Sequence, residues 1–150
     1  MAADESDRPH LNSNFLVEFG AARASGFAEV IFAPFTLAEG AVPRPGHDAA
    51  VAPPANRLVL RRGATGALDL YAWWDQARQG KAPARRVVKV KLLAADHATV
   101  VMSWRFRNVR PLSLAYSPLQ AMDGGVLMES LELAYDAVEI EAPTPPRKTR

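Results

Sequence analysis

The sequence predicts a mainly β protein: an antiparallel β-sandwich or partly open β-barrel of about six strands with one helix packed on it. Three patterns carry this reading. Two neighbouring runs alternate with a period of two, Val88, Val90 and Leu92 against Lys89 and Lys91, then Val100, Met102, Trp104 and Phe106 against Val101, Ser103, Arg105 and Arg107. A helical pattern over residues 67–79 gathers Leu68, Leu70, Tyr71, Trp73, Trp74 and Ala77 into a broad apolar surface and stops at Gly80, a residue that tolerates the left-handed conformation after a helix. The remaining strand-like runs are separated mostly by short turns, which favours hairpins between sequence neighbours. A sheet with one apolar face and a helix rich in aromatics each lose that surface to water by packing together, at about 1.5–3 kcal/mol per large side chain.

Residues 1–14 are polar and aperiodic and read as an N-terminal arm; the domain spans 15–141. Phe15, Val17 and Phe19 alternate with polar or small residues in a first strand. Residues 21–26 read as a short loop and 27–32 as a second strand. Residues 33–56 carry Pro34, Pro43, Pro45, Pro53 and Pro54, which exclude a helix or a central strand and predict a long excursion from the sheet. The strand pattern resumes over 57–62 with Leu58 and Leu60 inward. In the central hairpin a loop at 94–98 would set Leu92 opposite Val100, Val90 opposite Met102 and Val88 opposite Trp104. Residues 111–125 read as an irregular crossover and 126–141 as one long last strand. That strand has Leu127, Leu131, Leu133, Tyr135 and also Glu129 on its apolar side. Residues 142–150 form a basic, proline-rich tail.

Composition removes several classes of function. The 18 basic and 16 acidic residues leave a net charge of +2, too balanced to imply nucleic acid or an anionic membrane as an obligatory partner. Cysteine is absent, so there is no disulfide framework and no thiolate metal site. No apolar run approaches the roughly 18–20 residues that span a bilayer, and the acidic start is unlike a signal peptide. His10, His47 and His97 lack partners at metal-binding spacing, the serines form no nucleophile elbow, and Gly63 and Gly66 complete no phosphate loop. The sequence therefore predicts no enzyme, cofactor or metal. Asp69 and Asp75 read as exposed helix residues without a partner. Of the three tryptophans, Trp104 and one of Trp73 and Trp74 are expected in the core, leaving one near the surface to anchor a protein contact.

Four stretches, in order, resemble the tail tube proteins of contractile phages and of the related extracellular contractile injection systems. They are NFLVEFG followed by GFAEV, LVLRRG followed by LYAWW, WRFRNVRP, and MESLELAYDA, with Asn108, Pro111 and Glu129 at characteristic places. The resemblance covers roughly residues 14–140. It implies a structural subunit of the inner tube of an injection particle, joining copies of itself into six-membered rings that stack inside a sheath. The partners implied are sheath and baseplate proteins, with a protein or DNA cargo. An adaptor that starts the tube on the baseplate belongs to the same family. The long loop would touch the adjacent ring, which nominates Glu39, Gly40, Val42, Arg44, His47 and Asp48 for ring stacking. The particle would be assembled from a subunit made in the cytoplasm.

The hairpin register sends Lys89, Lys91, Arg105 and Arg107 away from the core. They would form a basic face, directed in the resembling tubes at the channel, with Glu132 and Asp136 of the last strand as candidate acidic neighbours. The alternative is a monomeric sheet that binds nucleic acid through the same four cations, a mode that salt would weaken steeply.

Overall fold

The computed structural model describes residues 8–20, 22–24, 26–36, 56–81, 85–122 and 124–143. Its elements are β1 (Phe15–Phe19), β2 (Ala22–Ala24), β3 (Phe27–Phe32), β4 (Arg57–Gly63), α1 (Asp69–Arg78), β5 (Arg86–Leu93), β6 (Val100–Tyr116), β7 (Met128–Ala134) and β8 (Ala137–Glu141). All strand pairs are antiparallel, in the order β2, β1, β5, β6, β7, β4, β3, with β8 also paired to β6. The path does not return on itself, so the architecture is an open barrel or sandwich.

The long strand β6 joins the two halves. Up to Val109 it lies beside β5, with β8 on its other side at Ser103 to Arg107; from Arg110 onward it lies beside β7. Asn108 turns the strand between these halves with φ 57°, a conformation that asparagine tolerates better than most residues. Its side-chain amide donates to Asp136, which also accepts from Arg110 at 3.0 Å, while the Asp136 backbone N–H donates to the Arg107 carbonyl at 3.1 Å. A second irregularity between Pro111 and Ser113 lets β6 continue past a residue that cannot donate to the ladder.

This continuation corrects the expected crossover at 111–125, since β6 runs to Tyr116. The expected single last strand divides at Tyr135 and Asp136 into β7 and β8, which pair with opposite ends of β6. A three-residue strand, β2, occupies half of the expected loop after β1. The count is therefore eight strands among the described residues instead of about six.

The hairpin register also differs from expectation. Val88 faces Phe106, Val90 faces Trp104 and Leu92 faces Met102. The cause lies in the turn. The Ala94 N–H donates to the Thr99 carbonyl at 2.8 Å, and Asp96 Oδ1 accepts from the N–H groups of Ala98 and Thr99, each at 2.9 Å. The Thr99 hydroxyl, with the N–H groups of Thr99 and Ala98, holds the Asp96 carboxyl down at about 2. The turn thus closes with Leu93 opposite Val100, and a bulge between Leu92 and Leu93 absorbs the offset. Because the main ladder moves by two residues, an even number, each side chain keeps its predicted face.

The core contains Val17, Phe19, Leu58, Leu60, Val88, Phe106, Leu131 and Leu133, closed by Leu70 and Trp73 of α1. Helix α1 ends as expected: Gly80, at φ 70°, donates its N–H to the Ala77 carbonyl, and Lys81 donates to the Gln76 carbonyl, a Schellman closure. Trp73 is 1% exposed, whereas Trp74 and Trp104 are half-buried on the core's margin. Only one tryptophan is fully interior, not two. Tyr135 is buried, yet its hydroxyl has no hydrogen-bond partner among the described residues, and burial pushes its pKa up. Tyr135→Phe removes a desolvated, unsatisfied group, so the denaturant midpoint should hold or rise, by about 1 kcal/mol in unfolding free energy.

Candidate functional site

The four cations nominated from the sequence lie together on one face of the first half-sheet. In register, Glu18 of β1 stands opposite Lys89, Lys89 opposite Arg105, and Arg105 opposite Glu139 of β8. This makes a straight row across four strands, acid, base, base, acid; on β2 the backbone places Arg23 opposite Glu18. The next row on the same face runs Leu16, Lys91, Ser103 and Glu141. Each flanking carboxylate also reaches diagonally. Lys91 Nζ lies 3.0 Å from Glu18 Oε1, with both side chains largely covered, and Arg107 Nη2 lies 2.9 Å from Glu139 Oε1 at the more open edge. Glu18 is thus ion-paired with Lys91 and in register with Lys89, and Glu139 is ion-paired with Arg107 and in register with Arg105. The direct Lys89–Arg105 apposition, unfavourable alone, is flanked on both sides by acid. Among the described residues Arg105 Nε is out of solvent and has no hydrogen-bond partner.

The acids that neutralise this face are not those expected. Glu132 belongs to the other half-sheet, 3.6 Å from Arg57 Nε and 3.4 Å from the Ser113 hydroxyl, and Asp136 is occupied at the Asn108 corner. The division of the last strand explains the exchange, because β8 and not β7 borders the cationic end of β6. Glu18 and Glu139 were both visible as polar members of alternating runs. Their position beside the hairpin depends on strand order, which the residue pattern alone leaves open.

On the opposite face, the ends of the sheet approach around a cleft of about 600 Å³ lined by Phe15, Val30, Phe32, Val90, Leu92 and Trp104. Phe32 lies against Trp104 with ring centroids 4.9 Å apart. Strand β3 pairs only with β4 and exposes Ile31 and Phe32, so one edge of the sheet is free among the described residues.

A second polar cluster was missed. Arg62, 5% exposed, and Glu129, 3% exposed, are register partners on β4 and β7 and are bonded through Arg62 Nε. The two terminal nitrogens of Arg62 hold both oxygens of Asp69, the first residue of α1, and the guanidinium lies 5.4 Å from the Phe27 ring centroid. Asp69 is therefore not the unpartnered residue expected. Its hydrogen bonds to Arg62 hold its pKa below the usual carboxylate range against the opposing effect of burial. Tyr116 stands beside Glu129, and its hydroxyl pKa is raised, first by desolvation and then by that carboxylate. The signal was available: Arg62 continues the inward alternation of Leu58 and Leu60, and Glu129 was already on the apolar side. Asp75, likewise, is bonded to Arg78 at 3.0 Å and to Gln79 at 2.8 Å.

Among the described residues no group of three or more histidine, aspartate or glutamate side chains could hold a metal ion, and no helix is long and apolar enough to cross a membrane. Glu39, Gly40, Val42, Arg44, His47 and Asp48 lie outside the described residues.

Residues 11–139 match the family of the T4-like virus tail tube protein gp19. The chain belongs to that family. No curated protein matches it. Solved structures share the tail tube fold at low identity. A chain of the anti-feeding prophage cap, the tube terminating cap, aligns with TM-score 0.72 and 18% identity over 95% of each chain. A chain of the PVC sheath-tube complex, an extracellular contractile injection system in its extended state, gives TM-score 0.71 and 16% identity over 95% of this chain and 100% of that one. Hcp1 from Flavobacterium johnsoniae gives 0.56 and 14%, covering 86% and 95%. The resemblance read from the four motifs is thus the family itself, and its members are structural tube proteins.

Proposed function

We propose that this tail tube family member is a non-enzymatic subunit of the inner tube of a contractile injection particle, joining copies of itself into six-membered rings that stack within a sheath. The family match over residues 11–139 carries the reading. The free β3 edge, the apolar cleft beside it and the exposed Tyr71 next to half-buried Trp74 supply surfaces that a repeating assembly would cover. In such a ring the polar face of the β5–β6 hairpin lines the channel. The loop with Glu39, Gly40, Val42, Arg44, His47 and Asp48 contacts the next ring, while sheath and baseplate proteins bind outside and at the ends.

Light scattering across concentrations, with electron microscopy of the same samples, tests the reading: rings or tubes are expected, and a species that stays monomeric at all concentrations overturns it. Replacing residues 42–52 by a short Gly and Ser linker should shorten tubes while leaving thermal unfolding within a few degrees of the parent. A position at a tube end, as terminator or as the adaptor on the baseplate, is the second reading, favoured by the likeness to the tube terminating cap. Single rings that never extend would select it.

A further inference from the structure

We propose that Glu18 and Glu139 mask the cations of the β5–β6 hairpin, so that this face meets nucleic acid and other polyanions without binding them. Four basic side chains on successive rows of one sheet face would otherwise be a phosphate-binding patch, since each cation that neutralises a phosphate releases a condensed counterion. The sequence offers that reading, and strand order cancels it. Strand β1 brings Glu18 to one flank of the hairpin and β8 brings Glu139 to the other. Each carboxylate occupies the notch between two cations, directly opposite one in register and ion-paired diagonally to the second. Glu141 adds a further negative charge at the end of the adjacent row, opposite Ser103.

A phosphate approaching Lys91 or Arg107 competes with a carboxylate already at 3.0 or 2.9 Å, and one approaching Lys89 or Arg105 enters the field of a carboxylate on the neighbouring strand. The net attraction of the face is therefore small. The two carboxylates, not the four cations, set its selectivity. This property belongs to the single subunit and holds wherever an assembly directs the face. If it lines a channel, the wall does not retain a polyanionic cargo.

The test is binding of a fluorescent single-stranded oligonucleotide at low and at physiological salt, followed by anisotropy. The parent protein should bind negligibly. The E18Q/E139Q variant should gain at least about tenfold in affinity. If all four freed cations engage, the slope of log K against log salt should approach about −3, from roughly −0.7 per phosphate on a single strand. A control variant, E29Q/E132Q, makes the same change in net charge by releasing Arg61 and Arg57 on the other half-sheet. It should gain much less. Circular dichroism establishes that each variant is folded. The single variants E18Q and E139Q, each retaining one ion pair, should give intermediate gains and decide the matter if the double variant fails to fold. Parent binding as tight as that of E18Q/E139Q, equal gains in the control, or no gain in any folded variant would overturn the mask.

Discussion

Arg62→Met should lower the unfolding free energy by about 3–5 kcal/mol, the usual consequence of removing one partner from a buried ion pair. The substitution keeps most of the aliphatic volume but strands Glu129, which is 3% exposed, without its counter-charge. The same change frees Asp69 at the start of α1, so the helix loses its tie to the sheet as well. The double variant Arg62→Met, Glu129→Leu removes both charges and should recover most of the loss, because an apolar pair of similar volume is often as stable as the ion pair it replaces. Urea denaturation of the three proteins checks this. A loss below about 1 kcal/mol for Arg62→Met would mean that the pair is solvated.

The same cluster fixes part of the pH dependence. Asp69 has its pKa depressed in the folded state, chiefly by the Arg62 hydrogen bonds. Its contribution is therefore fully present above the ordinary carboxylate range and is lost as pH falls through the depressed value. Asp136 at the β6 corner is held down by Asn108 and Arg110 and follows the same sign. Asp69→Asn should flatten the acid limb of the stability profile while changing its shape little at neutral pH. An unchanged acid limb would count against the assignment.

The sequence was a good guide wherever faces mattered and a poor one wherever partners mattered. A period of two determines which side of a sheet a residue occupies, so Val88, Val90, Phe106, Leu131 and Leu133 were assignable to the core. A register error of two residues did not disturb them. Strand order is a different kind of information, because it depends on contacts between segments far apart in the chain. For that reason Glu18, 73 residues from Lys91, and Glu139, 32 from Arg107, could not be assigned to the cationic face. The division of β7 from β8 hinges on a corner built by Asn108 and Asp136, 28 residues apart. The local run from Val126 to Glu141 carries one trace of it, since the apolar positions move from odd numbers, Leu131, Leu133 and Tyr135, to even ones, Val138 and Ile140. Pro111 misled for a simpler reason: a proline reads as the end of a strand, yet beside a bulge it is tolerated within one.

Trp73→Ala should cost about 3–5 kcal/mol, comparable to other large aromatic truncations in packed cores. Trp73 and Leu70 are the only two residues of α1 that are buried, so one substitution removes one of the helix's two buried apolar anchors. The indole meets Phe19 edge-on with centroids 5.2 Å apart and carries the Arg86 guanidinium 4.7 Å from its ring centroid. Truncation forfeits the aromatic pair, exposes Phe19 and leaves a cavity that a ten-residue helix cannot collapse into without moving along the sheet. Trp74→Ala is the internal comparison. That ring is half-buried, lies tilted to Tyr71 at 6.3 Å and has Arg78 5.8 Å away, so its loss should be well under half as large. Denaturant titrations of both variants provide the measurement, with near-ultraviolet dichroism reporting the Trp73 environment. Equal losses at the two sites would show that α1 is held by its whole apolar surface instead of by Leu70 and Trp73. If Trp74→Ala instead leaves the fold intact but reduces assembly in light scattering, the Tyr71–Trp74 surface is a contact between subunits.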